Sequence, residues 1–310
     1  MDRVSVVVPV FNEEGNVAAL HKEIFEVCQN NNYTFEIIFV DDGSSDKTVE
    51  ICNNLKPLKL IQFRKNFGQT AAMDAGIKAA QYDYIVTMDG DRQNDPADIP
   101  KMLEYLKNNN LDVVSGWRKN RKDTFMKRFV SRCANLLRHL IVHDGIHDSG
   151  CSLKIYRKEC FNGINLYGEQ HRFIPAILKI KGFSVGETIV NHRPRTAGKT
   201  KYNWRRTIKG FVDMISLWFW NKYANRPLHL LGGFGMCFLG LGFLCGIWSI
   251  LLFISGAEMK RNIFPPLLTI FFAIVGILLF IFGLMSEILI KTYYGVHVDK
   301  PYSIKKITER

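Results

Sequence analysis

The chain has 310 residues, 47% of them apolar, and a formal net charge of +12 at pH 7, which is length and core-forming content enough for one large or two ordinary domains and no obstacle to an enzyme. The charge is uneven: counted along the sequence, residues 1–114 sum to about −7, residues 115–230 to about +16 and the remainder to about +3. A basic half of this size suits anionic lipid or a phosphorylated substrate, and nucleic acid is set aside because no nucleic-acid-binding motif accompanies the charge.

The chain begins Met-Asp-Arg and enters an apolar run at once, so no cleavable secretory signal is expected. Short Val/Ile-rich runs at 4–10, 36–40, 58–63, 84–88 and 111–115 are the predicted strands, and helical patterns fall near 14–29, 46–54, 68–80 and 97–108. This alternation predicts an α/β class with βαβ units and a mostly parallel sheet, whose ligands bind beyond the carboxyl ends of the strands. Three polar motifs fall at such ends: Asn12-Glu13-Glu14, Asp41-Asp42-Gly43-Ser44-Ser45-Asp46 and Asp89-Gly90-Asp91. From 117 to 200 the pattern is less regular, with a basic helical stretch at 125–141 and strand-like runs at 152–157 and 184–191. Seven cysteines, an odd number without Cys-x-x-Cys or paired His spacing, point to a reduced, cytosol-facing domain rather than to zinc or a disulfide framework.

Residues 204–223 form an amphipathic, aromatic-rich segment in which Trp204, Trp218, Phe219 and Trp220 combine with Arg205, Arg206, Lys209 and Lys222, a composition suited to a helix in a membrane interface. Two apolar stretches follow, 229–255 and 263–290, each longer than the ~20 residues that cross a bilayer core of ~30 Å. They predict a helical hairpin. Lys222 and Arg226 before it and Lys291, Lys300, Lys305 and Lys306 after it outweigh the cations of the connecting loop, so both ends are expected in the cytoplasm. Glu287 and Pro265-Pro266 read as interfacial features of the second span, and Gly242-x-x-x-Gly246 permits close helix packing.

Asp89 and Asp91 stand one residue apart where the apolar run 85–88 stops. Carboxylates are hard oxygen ligands, and Mg²⁺ or Mn²⁺ in such sites keeps waters and takes further ligands from substrate phosphates, which points to a nucleotide-activated substrate. Alone, so short a pattern reads more readily as an acidic surface turn with Asp95-Pro96 opening a helix. Together with Val6-Val7-Val8-Pro9-Val10-Phe11-Asn12-Glu13-Glu14 and the Asp41–Asp46 segment, in this order and at strand ends, it resembles the family 2 glycosyltransferases, which share the Rossmann-like GT-A fold. The resemblance implies that Pro9, Phe11, Asn12 and Glu14 border the nucleotide and that Asp42 or Asp41 meets the base or ribose. It also implies a metal site for Mg²⁺ or Mn²⁺ from Asp89, Asp91 and Gln93, with Gly90 beside the nucleotide sugar and Asp89 alternatively on the ribose. Asp46 reads as a helix N-cap.

A narrower likeness extends over nearly the whole chain. Residues 116–123, Lys127-Arg128, His147-Asp148-Ser149-Gly150-Cys151, the segment 168–175 and the segment 192–202 are similar to the polyprenyl-phosphate branch of that family, which includes dolichyl-phosphate mannose synthases and bacterial undecaprenyl-phosphate glucosyltransferases with a C-terminal two-helix hairpin. Forked guanidinium groups hold phosphate oxygens bidentately, and Arg118, Arg121, Lys127, Arg128, Arg193, Arg195 and Lys201 are the candidates for the acceptor phosphate. Lys119, Lys122 and Arg138 suit a solvated basic face. Lys199, the candidate for the nucleotide sugar, lies with Arg195 and Lys201 on a glycine-containing loop suited to close over the diphosphate or the acceptor. Asp91, Arg118 and Asp148 are the catalytic candidates, Asp148 standing where an inverting enzyme keeps its base or orienting only the acceptor or the sugar hydroxyls.

The expected activity is inverting transfer of one sugar from a nucleoside diphosphate sugar, UDP-glucose or a UDP-N-acetylhexosamine, to undecaprenyl phosphate at the cytosolic face of the cell membrane. The alternatives are a GDP-mannose enzyme of the dolichyl-phosphate type, a processive polysaccharide synthase, disfavoured because Gln170-His171-Arg172-Phe173 departs from Gln-x-x-Arg-Trp and one hairpin encloses no channel, and an inactive membrane scaffold. The expected organisation is a cytosolic domain at 1–203, an interfacial segment at 204–227, the hairpin at 228–291 and a cytosolic tail at 292–310. The resemblance also implies a homo-oligomer and a flippase partner.

Overall fold

A computed structural model describes residues 1–119, 145–194, 226–256 and 263–296, together with 219, 222 and 223. The basic stretch 125–141, most of the segment 204–223 and the tail beyond 296 lie outside the described residues. The chain divides into two units, Met1–Ile215 and Ser216–Arg310.

The first unit carries, in order, β1 (Arg3–Val10), α1 (Val17–Asn30), β2 (Thr34–Asp41), α2 (Thr48–Asn53), β3 (Lys59–Gln62), α3 (Gln69–Ala79), β4 (Tyr84–Thr87), α4 (Ile99–Asn108), β5 (Val113–Trp117), β6 (Lys154–Arg157), α5 (Ile174–Ile180) and β7 (Val185–Ile189). The strands form a 7-stranded sheet in the order β3-β2-β1-β4-β6-β5-β7. β1 pairs parallel with β2 and β4, and β5 with β7, whereas β6 runs antiparallel to both β4 and β5. Because β6 is reversed, it starts where β4 ends, with Lys154 opposite Thr87. The turn 148–153 is thereby delivered to the edge where β1, β2 and β4 release the three polar motifs.

Strand alternation explains the core. Val4, Val6, Val8 and Val10 of β1 pack with Leu20 and Ile24 of α1 and Met102 and Leu106 of α4 on one face, and Val7 packs with Met73 and Ile77 of α3 on the other. A sheet buried on both faces reads as a continuous apolar run, and all of β1 from Val4 onward is buried. Each such side chain contributes roughly 1.5–3 kcal/mol on burial. α3 lies close against the sheet: a Cβ on Gly76 would stand 2.4 Å from Val7 Cγ1.

The second unit contains α6 (Pro227–Ile254) and α7 (Phe264–Val296), both long and apolar enough to cross a membrane. They pack on each other through glycines: Cβ atoms at Gly235 and Gly276 would each lie 2.8 Å from the other residue's carbonyl oxygen. Gly242 belongs to this contact, close to Thr269 and Ala273, whereas Gly246 makes only ordinary contact. Phe243, Ile250 and Phe253 of α6 and Ile274 and Phe282 of α7 are exposed, the arrangement of a hairpin whose outer face meets hydrocarbon.

Candidate active site

The first two motifs are sewn to each other by backbone donors. Asn12, in the left-handed region at φ 52°, donates its N–H to Ser44 Oγ at 2.9 Å and accepts the Ser45 N–H on Oδ1 at 2.8 Å. Glu13 N donates to Thr48 Oγ1 at 2.8 Å, and Glu14 exchanges contacts with the second loop by donating to Asp46 Oδ2 at 3.2 Å and accepting from Lys47 N at 3.1 Å. Asp46 also accepts the Thr48 N–H at 3.0 Å. It is not itself the N-cap, a position that Lys47 occupies because α2 starts one residue later than expected.

Asp41 and Asp42, expected at the base or ribose, are both buried. Asp41 accepts the Ser44 N–H at 3.2 Å. Asp42 accepts the N–H groups of Phe67 and Gly68 at 2.7 and 3.0 Å, so it holds the loop before α3 against this edge. Burial pushes the Asp42 carboxyl up, against those two donors, and neighbouring Asp41 adds to the rise. A carboxylate has about four lone-pair sites, and these bonds leave capacity for a ligand.

The Asp89–Gln93 loop is fixed from several sides. Gln69 at the start of α3 donates to Asp89 Oδ1 at 2.7 Å, while Asn94 Oδ1 receives both the Asp89 N–H at 3.1 Å and the Ser152 hydroxyl at 2.8 Å. Gln93 N donates to Asp91 Oδ1 at 3.1 Å, closing a turn in which Arg92 has φ 61°. Burial raises the Asp89 carboxyl and Asp91 raises it further, opposed by Ser152, Arg118 and Lys154. Asp95 caps the next helix by accepting the Ala97 N–H at 3.0 Å, so the plainer expectation for Asp95-Pro96 holds alongside the acidic pair.

Arg118 and Asp148 meet side-on, Nε to Oδ2 at 2.7 Å and Nη2 to Oδ1 at 3.0 Å, with both side chains largely buried. Burial works against the guanidinium charge, but Asp148 outweighs it and holds Arg118 protonated. The fork expected to clasp an acceptor phosphate is therefore turned onto Asp148, the carboxylate that the reversed strand delivers beside it. Glu187 on β7 holds this turn by accepting the His147 and Asp148 N–H groups at 3.0 and 2.9 Å, and the His147 ring stacks on Trp117 at 4.6 Å.

Arg193 is also engaged by acidic groups: its Nη1 and Nη2 contact Glu23 and Asp95, both at 2.6 Å. Arg121, Lys127, Arg128, Arg195, Lys199 and Lys201 lie outside the described residues.

Lys154 is a site residue that the sequence reading missed. It is 2% exposed, and among the described residues its ammonium makes long contacts to the Ser149 and His171 carbonyls, 3.4 and 3.5 Å. Burial pushes it down to about 8, with Cys151, Asp148 and Asp89 opposing and Arg118 adding to the fall. Its signal was a lysine at the head of the short strand Lys-Ile-Tyr-Arg, just before two buried apolar positions. His171 is held from α3, with Nδ1 and Thr70 Oγ1 at 2.7 Å.

Among the described residues no group of three or more His, Cys, Asp or Glu is placed to cage a metal. Asp89, Asp91 and Gln93, two carboxylates and an amide, are hard oxygen donors of the type that Mg²⁺ or Mn²⁺ takes when water and phosphate supply its other ligands. The residues fit such an ion.

A protein-family model described as "Glycosyl transferase family 2" matches residues 5–164, the segment that contains Asp42, Asp89, Asp91, Arg118, Asp148 and Lys154. The chain belongs to that family. This glycosyltransferase is 38% identical to dodecaprenyl-phosphate galacturonate synthase of Rhizobium johnstonii, over 98% of its own length and 92% of the relative's. It is 31% identical to undecaprenyl-phosphate 4-deoxy-4-formamido-L-arabinose transferase of Aeromonas hydrophila, over 98% and 93%. Among solved structures, glucosyl-3-phosphoglycerate synthase of Mycobacterium tuberculosis, in complex with Mn²⁺, UDP and glucosyl-3-phosphoglycerate, superposes with a TM-score of 0.56 at 14% identity, over 71% of this chain and 80% of that one. The shared fold is GT-A, as the motifs implied.

Proposed function

We propose that this family 2 glycosyltransferase moves a single sugar from a nucleoside diphosphate sugar to the phosphate of a polyprenyl phosphate, with inversion, at the cytosolic face of the inner membrane. The observation that carries the reading is the gathering of Asp91, Arg118 and Lys154 around the buried Asp89 at one sheet edge. Full-length similarity to two polyprenyl-phosphate sugar transferases and two helices able to cross a membrane support the lipid acceptor. In this reading the catalytic domain spans 1–203, an interfacial segment 204–227, the hairpin 228–291 and a cytosolic tail 292–310.

In place of glucose or an N-acetylhexosamine, the sugar we propose is galacturonate or a 4-substituted arabinose, the sugars named for the two relatives, and UDP is kept as its carrier. Mn²⁺ with UDP, held by the mycobacterial enzyme on the same fold, is the combination to try first. A divalent cation bound at Asp89, Asp91 and Gln93 supplies charge neutralisation for a departing diphosphate. The protein's own part is placement and fixed charge. A phosphate acceptor is ionised near neutral pH and needs no strong base, so Asp148, locked to Arg118, serves to orient rather than to take a proton. With the Arg118 fork engaged, the acceptor phosphate falls to Arg121, Lys127, Arg128, Arg195 and Lys201, and Lys199 falls to the donor diphosphate.

The test is transfer by purified protein with Mn²⁺ or Mg²⁺, undecaprenyl phosphate and a panel of UDP-galacturonate, UDP-4-deoxy-4-formamido-L-arabinose and UDP-glucose, reading lipid-linked sugar. Asp91→Asn is expected to lower turnover by roughly a hundredfold or more, on the scale of removing several kcal/mol of charge stabilisation. Near-normal turnover in that variant removes the metal assignment, and no lipid product from any donor removes the activity.

A further inference from the structure

Arg92 lies between two of the residues assigned to the metal, and its backbone is left-handed at φ 61°. An L-residue with a long side chain takes that conformation only when its surroundings hold it there. The holding group is Glu23 on α1, which contacts Arg92 Nη2 through one carboxylate oxygen and Arg193 Nη1 through the other, the latter at 2.6 Å. Arg193 in turn reaches Asp95 with Nη2 at 2.6 Å and donates its backbone N–H to the Gln93 carbonyl at 2.9 Å. One carboxylate on a rigid helix thus grips the acidic loop twice, at Arg92 directly and at Gln93 through Arg193.

We infer that Glu23 is a positioning residue for the divalent cation: acting through Arg92 and Arg193, it sets the turn that aims Asp91 and Gln93 at a common point. The inference rests on the metal reading above and adds to it a residue remote in sequence from the site. A merely stabilising ion pair would leave cation affinity untouched. A group that shapes the ligand turn behaves as the outer partners of metal ligands do, where substitution weakens binding by about tenfold or more.

The experiment is calorimetric titration of Mn²⁺ into the full-length protein with UDP present, alongside thermal unfolding and turnover at saturating Mn²⁺. Glu23→Gln is expected to raise the Mn²⁺ Kd roughly tenfold while kcat at saturating Mn²⁺ stays within about twofold. The Glu23→Gln/Arg92→Gly double variant is expected to be no weaker than Glu23→Gln alone, since both act on one turn. Wild-type affinity in Glu23→Gln, or losses that add as independent effects in the double variant, overturns the inference. Should Glu23→Gln fail to accumulate, Arg92→Gly carries the same test, because glycine adopts the left-handed backbone freely and only the grip is lost: weakened Mn²⁺ binding supports the inference and unchanged binding overturns it. A wild-type protein that binds no Mn²⁺ under these conditions overturns the metal reading itself, a result visible before any variant is compared.

Discussion

At the scale of single residues, the active edge is a balance of buried charge, and Lys154 is where the balance is most exposed to pH. Its ammonium lies within the fields of Asp89, Asp148 and Arg118, and burial brings it down to about 8; Cys151, pushed up to about 11, stays an uncharged thiol beside it. An ordinary lysine titrates near 10.5, so between about 8 and 10.5 the unfolded chain holds a proton that the native state has released. By linkage, this group makes stability rise with pH across that window. Activity runs the other way, because the neutral amine no longer offsets the acidic loop and the donor diphosphate. A pH profile of kcat/KM is expected to fall above about 8, by about tenfold per unit at the limit. Lys154→Arg, which keeps its charge throughout, is expected to lose that limb, and a wild-type profile flat to pH 10 removes Lys154 from the charge balance.

At the scale of elements, the outcome turns on contacts that periodicity does not encode. The strands and helices of the first unit were legible because β1, β2 and β4 are continuous apolar runs and α1 and α4 repeat their apolar positions at helical spacing. The three motifs were legible because polar residues interrupt those runs at the strand ends. The reversal of β6 was not, since a short strand reads alike in either direction. With it went the Arg118–Asp148 pairing and the burial of Lys154. The Glu23–Arg193 contact spans 170 positions and leaves no local trace. Gly76 sets two local rules against each other. Helix propensity favours alanine over glycine by roughly 0.5–1 kcal/mol, yet a Cβ there would meet Val7 Cγ1 at 2.4 Å and Val40 Cγ2 at 3.0 Å. Overpacking of this kind costs about 1–3 kcal/mol, so packing wins. Gly76→Ala is expected to lower the unfolding midpoint in detergent solution, and an unchanged or higher midpoint means that α3 can lift from the sheet without penalty.

At the scale of the whole molecule, charge along the chain decides on which side of the bilayer the chemistry happens. On the proposed function the nucleoside diphosphate sugar comes from the cytoplasm, and the sheet edge that holds the acidic loop is expected to face it. Lys222 and Arg226 precede the first span and Lys291, Lys300, Lys305 and Lys306 follow the second, against Lys260 and Arg261 in the connecting loop. Positive charge close to the ends of a span is retained on the cytoplasmic side. The loop, with Glu258 beside its two cations, carries the smaller excess. Cysteines introduced as Glu258→Cys and Lys306→Cys are therefore expected to report opposite faces. In intact bacterial cells a membrane-impermeant maleimide should label position 258, and position 306 only after permeabilisation. Labelling of position 306 from outside would place the tail away from the cytoplasm and overturn the proposed topology.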